Sequence, residues 1–159
     1  MNIELRNVRL VHGHDDSTPY VGKLYIDGKH IANCENDGWG GPDNIQPISK
    51  EARIILNRAE EYAKTLPSFE SFGMTLEMSL DLLIGELLEA FLEKKENDKL
   101  MKKTLKKIIL MSPNKRSYIE FGWKVDIATM KEKWPKQLAD QLAKLKKDYP
   151  EHTLVNTNL

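Results

Sequence analysis

The dipeptide Asp27-Gly28, set between Tyr20-Val21-Gly22-Lys23-Leu24-Tyr25-Ile26 and His30-Ile31-Ala32-Asn33-Cys34, constrains the fold of this chain more than any other feature. Residues that tolerate positive φ at two successive positions specify a type I′ turn, whose twist matches that of the flanking strands. The spacing predicts a β-hairpin with strands at 20–26 and 30–34. The run that follows, Asn36-Asp37-Gly38-Trp39-Gly40-Gly41-Pro42, packs three glycines and an aromatic into seven residues, which demands an unusual backbone. Two readings are open. In one the run is a tight exit from an edge strand, with Trp39 folded back as a lid on the core. In the other Asp37, Gly38, Trp39, Gly40 and Gly41 form a contact loop, whose successive N–H groups suit an anion-binding nest.

Around this hairpin the pattern continues. Ile3, Leu5, Val8 and Leu10 alternate imperfectly over residues 2–11, a strand with a break in period, and hence a bulge, near Asn7. Ser49 suits an N-cap for a helix to residue 64, with Ile54, Ile55, Ala59, Tyr62 and Ala63 as its apolar stripe. Thr75 is placed to cap a second helix over residues 76–95, whose leucines fill more than one face and predict the most buried helix of the fold. The longest candidate linker, 94–103, is charged rather than Gly/Ser-rich, and residues 99–111 are open to a second reading, a helix that hands over to a strand. Residues 106–111 and 118–125 read as a second hairpin across Pro113-Asn114, with Ile119, Phe121 and Trp123 facing inward and Tyr118 and Glu120 outward. Asp126 is a cap for a last helix over 127–147 that Pro135 must kink or restart. Residues 153–155 suit a short edge strand. The expected fold is a single α+β domain of 159 residues, one antiparallel sheet carrying both hairpins and covered by two or three helices.

The formal net charge is zero, but it is unevenly distributed. Residues 1–93 hold 8 Lys and Arg against 16 Asp and Glu, and residues 94–159 hold 16 against 8. Lys102, Lys103, Lys106, Lys107, Lys115 and Arg116 belong to a basic stretch over 94–116 that suits phosphate or an acidic partner; its ordinary reading is a solvated helix face. A single cysteine, Cys34, rules out an intramolecular disulfide and fits a reducing, cytoplasmic setting. Acidic residues interrupt the leucine-rich stretch from Leu76, so no membrane span is expected.

Few residues suggest chemistry. Glu86, Glu89 and Glu93 share one side of a helix, and Gly85-Glu86-Leu87-Leu88-Glu89-Ala90 resembles the first metal motif of the all-α nucleotide pyrophosphohydrolases. That resemblance implies a metal-dependent hydrolase. It covers one helix, the second acidic pair those enzymes use is missing downstream, and the glutamates read as the wet edge of a buried helix. His12 and His14, beside Asp15 and Asp16, lie in a turn-rich segment where convergence on a metal is not ensured. His30 and Cys34 are four apart on one predicted strand and so on one face, although a strand cysteine is ordinarily a small buried hydrophobe. Tyr118, Phe121 and Trp123 lie beside the lysines, which suits single-stranded nucleic acid, but the alternation sends Phe121 and Trp123 to the core. Of Trp39 and Trp134, at least one should be packed. Walker, nucleophile-elbow and dinucleotide motifs are lacking, so neither a cofactor nor a metal is expected.

The early strand, the Tyr25-Ile26-Asp27-Gly28-Lys29 hairpin and the run Cys34-Glu35-Asn36-Asp37-Gly38-Trp39-Gly40-Gly41-Pro42 resemble a group of short proteins encoded by phages, prophages and plasmids, to which no reaction is assigned. The resemblance covers about the first quarter of the chain. It implies a genetic setting, and with it the expectation of a non-enzymatic interaction protein directed at a host defence or nucleic-acid-processing complex. The Gly-rich loop and the basic stretch would be its contact surfaces. Direct nucleic-acid binding by the basic stretch is the alternative.

Overall fold

The computed structural model of this chain describes residues 1–11 and 18–159; His12 and His14 lie outside the described residues. Asp27 and Gly28 adopt φ of 49° and 81°, the left-handed pair that a two-residue type I′ turn requires. Around it β2 (Tyr20–Ile26) and β3 (Lys29–Asn36) pair antiparallel. β1 (Ile3–Leu10) adds to β2, and β4 (Asn44–Pro47), which the sequence pattern did not suggest, adds to β3, giving the sheet order β1-β2-β3-β4. The bulge expected near Asn7 is present: Arg6 pairs with Lys23 and Arg9 with Val21, and Asn7 sits at φ 55°.

The chain divides into two compact units, Met1–Leu92 and Glu93–Leu159. The division falls beside the point where the charge changes sign. The structure is α+β, with all its sheets antiparallel. The two hairpins do not share a sheet, however. The first belongs to the four-stranded sheet of the first unit, the second to a three-stranded sheet of the second.

In the first unit, α1 (Lys50–Lys64) starts where the sequence predicts, with the Ser49 hydroxyl accepting the Ala52 N–H at 3.0 Å. Its buried face is Ala52, Ala59 and Ala63, whereas Ile54 is exposed. The expected stripe holds at Ala59 and Ala63, which are buried, and at Ile55 and Tyr62, which are half-buried; Ile54 alone falls about half a turn outside it, and Ala52 lies on the buried face instead. The core joins this face to Tyr20, Leu24 and Ile26 of β2 and to Ile31, Ala32 and Cys34 of β3. Each leucine or isoleucine buried there contributes about 2 kcal/mol. Thr75 caps no helix. It lies in β6 (Met74–Leu76), which pairs with β5 (Phe69–Ser71) in a small hairpin, and α2 (Leu80–Thr104) begins later, with the Ser79 hydroxyl accepting the Leu82 N–H. Leu80 and Ile84 of α2 enter the core, but Leu83, Leu87, Phe91 and Leu92 are only half-buried and Leu82 is exposed, so α2 is not the most buried helix. Nor is 94–103 a linker: it is helical to its end.

In the second unit, β7 (Lys107–Met111) lies between β8 (Tyr118–Gly122) and β9 (Thr153–Leu154). The last helix is broken in two, α3 (Ile127–Lys133) and α4 (Pro135–Asp148), because Pro135 has no N–H to continue the ladder and serves instead as the first residue of a new helix. Asp126 caps α3 by accepting the Thr129 N–H at 2.8 Å. Ile108, Leu110, Ile127, Met130, Leu138 and Leu145 form the core, and Ile119, Phe121 and Trp123 pack against it as the alternation predicts. Asn156 ties the chain end to this unit. Its amide accepts the Ile109 N–H at 2.7 Å and donates to the carbonyls of Lys107 at 2.8 Å and Thr104 at 3.1 Å. The Thr104 carbonyl, at the last turn of α2 where intrahelical partners run out, is thereby satisfied from outside the helix.

Candidate functional site

The Gly-rich loop leaves β3 at Asn36 and returns at Asp43. Asn36 serves both ends: its Nδ2 donates to Oδ1 of Asp43 at 2.8 Å and to the Gly41 carbonyl at 3.2 Å, while its Oδ1 accepts the Gly38 N–H at 2.8 Å. The Asp37 carboxylate accepts the Trp39 N–H at 3.0 Å. These are Asx turns, in which a short polar side chain stands in for a backbone acceptor. They occupy the N–H groups of Gly38 and Trp39, two of those that a nest over residues 37–41 would present to an anion. Gly38 and Gly40 take φ of 83° and 82°, values that L side chains rarely adopt. Trp39 is 73% exposed, so it is not a lid on the core, whereas more than half of the Trp134 surface is covered.

Asp43 anchors the return of the loop. Its Oδ2 accepts the Tyr20 hydroxyl at 2.7 Å. Desolvation raises the Tyr20 pKa, and the hydrogen bond to Asp43 and its charge add to that rise. Burial, with the charges of Asp43 and Asp81 behind it, pushes the Cys34 thiol up to about 12. Asp81 is raised by desolvation and by the neighbouring Asp43 charge, against the lowering effect of the Asp43 backbone. Gly41 and Pro42 border two grooves. One of about 490 Å³ runs past Tyr20, Glu35 and Asp37; the other, of about 450 Å³, past Phe69, Asp81, Glu86 and Glu89.

Phe69 also begins the β5–β6 hairpin, and at its tip stands a residue that sequence reasoning missed. Phe72 is 99% exposed at φ 50°, with Gly73 at φ 73° beside it. Phe72-Gly73 thus takes the same pair of left-handed conformations as Asp27-Gly28, at a position where Asn or Asp is the usual occupant. A glycine following a polar residue would have signalled this turn; Phe72 hid it.

The basic residues spread over several surroundings. Lys103 donates to the Tyr118 hydroxyl at 2.6 Å and to Glu120 at 3.2 Å, and Lys107 also bonds Glu120. The Lys103 pKa is raised by the Tyr118 hydrogen bond first and then by Glu120, and that of Glu120 is lowered by Lys107 and Lys103. Lys106 is exposed, and its charge adds to the hydrogen bonds from Thr129 that hold the Asp126 carboxyl below its ordinary value. Lys102 borders a different depression, beside Thr157 and Asn158. Lys115 and Arg116 sit in the turn between β7 and β8 and form no ion pair among the described residues.

The remaining candidates do not assemble. Ile31 is an extra residue on β3, since Leu24 pairs with Ala32 but Tyr25 with His30. This bulge puts His30 and Cys34 on opposite faces: His30 stacks on Tyr25 with ring centroids 5.4 Å apart, while Cys34 is buried in the core. Glu86, Glu89 and Glu93 are exposed. Among the described residues no three His, Cys, Asp or Glu side chains are grouped to hold a metal ion, and no helix is long and apolar enough to cross a membrane. Comparison with protein-family models, with curated proteins and with solved structures finds no match to this chain.

Proposed function

We propose that this chain is a non-enzymatic interaction protein whose first unit captures a protein partner with a basic docking face, using Trp39 and Phe72 as aromatic anchors. The observation that carries this reading is Phe72, an aromatic 99% exposed in a left-handed conformation. That conformation costs a side-chain-bearing residue about 1 kcal/mol or more, so its retention favours a role outside folding. Trp39, exposed on a loop pinned at both ends by Asn36 and Asp43, is a second rigid aromatic of the type that concentrates binding energy in protein interfaces. The acidic excess of residues 1–93, with Glu86 and Glu89 in the groove that Gly41, Pro42 and Phe69 border, supports a basic partner, since complementary charge steers encounter. The resemblance of about the first quarter of the chain to phage and plasmid proteins adds the expectation of a cytoplasmic host complex, in defence or nucleic-acid processing, as that partner.

The test is affinity capture from lysate of the native host, with nuclease, followed by reconstitution with the purified partner. Stoichiometric binding that weakens at least tenfold in Trp39→Ala and in Phe72→Asn, with melting temperatures no lower than wild type, is the expected result. Binding indifferent to both substitutions would remove the proposal.

A further inference from the structure

The second unit holds a groove of about 690 Å³ between the last turns of α2 and the β7–β8 turn. Lys99 and Lys103 contribute from α2, and Lys115, Arg116 and Tyr118 from the turn and β8. We infer that this groove binds single-stranded nucleic acid, the cations holding phosphates and Tyr118 stacking on a base. This does not depend on the role proposed for the first unit.

Three observations converge. The first is charge: Glu96 is engaged with Lys99 at 2.9 Å and Glu120 with Lys103 and Lys107, which leaves the cations Lys115 and Arg116, and the carboxylate of Glu93, as the groove's charges outside any ion pair among the described residues. The second is preorganisation. The turn is closed by the Ser112 N–H to the Ser117 carbonyl at 3.0 Å, the Lys115 N–H to the Ser112 carbonyl at 3.0 Å and the Arg116 N–H to Asn114 Oδ1 at 3.0 Å. Within it Lys115 is held at φ 58°, a conformation that glycine or asparagine adopts far more readily, so backbone strain is retained where a cation is presented. The third is Tyr118, 40% exposed and fixed through its hydroxyl by Lys103. A fixed aromatic among cations matches a base following a phosphate, whereas an acidic peptide gains nothing from the ring. Glu93 and Glu96 on the same lining disfavour a dense run of phosphates and suit a short contact. The volume is that of a small-ligand cleft, far less than the double-groove footprint by which an RNA duplex is held.

The experiment is fluorescence anisotropy of the full chain with a labelled oligothymidylate of about twelve nucleotides, a duplex of equal length and a glutamate-rich peptide, between about 50 and about 200 mM salt. Oligothymidylate is expected to bind best, weakening roughly tenfold over that range as two or three phosphates are released. Arg116→Ala and Lys115→Gly should each weaken it severalfold, the latter without lowering the melting temperature because glycine relieves the left-handed strain. Tyr118→Phe, which keeps the ring but frees it from Lys103, should bind more weakly than wild type and more tightly than Tyr118→Ala. The inference is overturned if oligothymidylate fails to bind at the lower salt, binds with no salt dependence, binds the Lys115→Gly and Arg116→Ala variants as tightly as wild type, or is outcompeted by the duplex or the peptide.

Discussion

The Tyr20 hydroxyl donates to Oδ2 of Asp43 at 2.7 Å, joining the first residue of β2 to the point where the Gly-rich loop rejoins the sheet. Tyr20 is almost fully buried, so Tyr20→Phe leaves one Asp43 lone pair unanswered and should cost about 1–2 kcal/mol in urea unfolding. The bond also gives a pH signature. The folded tyrosine keeps its proton at pH values where the unfolded one, near 10.0, has lost it. The unfolded state then binds fewer protons, so wild-type stability falls as pH rises above 10. Tyr20→Phe should make that slope shallower, the remainder coming from the Cys34 thiol, which also keeps its proton in the fold; melting temperature across alkaline pH reads the difference.

Phe72→Asn should raise stability by about 1 kcal/mol, because Asn-Gly is the preferred pair for two successive left-handed positions. Thermal unfolding measures the gain. An equal or lower melting temperature would show that Phe72 makes contacts that offset its backbone cost.

Asn156→Ala should destabilise the second unit by about 2–4 kcal/mol, since it removes the acceptor of the Ile109 N–H and the donor to two carbonyls at once. Asn156→Asp should be at least as damaging, because it retains the acceptor but aims a carboxylate oxygen at the Lys107 and Thr104 carbonyls. Urea titration of both variants checks the order.

Cys34 should resist alkylation. With its pKa pushed up to about 12 from 9.0 by burial, its thiolate fraction at pH 8 is about a thousandth of an unperturbed cysteine's. Iodoacetamide labelling followed by mass spectrometry should be slow in the folded chain and fast in urea.

Asp81→Asn should stabilise the fold at pH 7. Asparagine removes a partly desolvated charge beside the Asp43 carboxylate. Because the folded pKa of Asp81 lies above its ordinary value of 3.8, wild-type stability from this group rises as pH falls toward that value. The advantage of the variant should therefore shrink between pH 7 and pH 4, as differential scanning calorimetry would show.

Local chemistry by itself determined much of this protein. Asp27-Gly28 specified the hairpin, Ser49 and Asp126 the helix starts, Pro135 the break between α3 and α4, and Asn7 the bulge. Each acts within a few residues, through φ preference, a side-chain cap or a missing N–H. The Gly-rich loop was legible as a special backbone, but whether Trp39 faced the core or the solvent was not, because that depends on Asn36 and Asp43 closing the loop beneath it. Only the tertiary structure decided that the hairpins belong to different sheets, that Ile31 is bulged so His30 and Cys34 part, that Ala52 rather than Ile54 faces the sheet, and that Asn156 secures the junction of α2 and β7. It also decided which lysines are paired and which border a groove. These depend on partners distant in the sequence, and pairing register and burial are set by which surfaces exclude water together rather than by the propensity of any one segment.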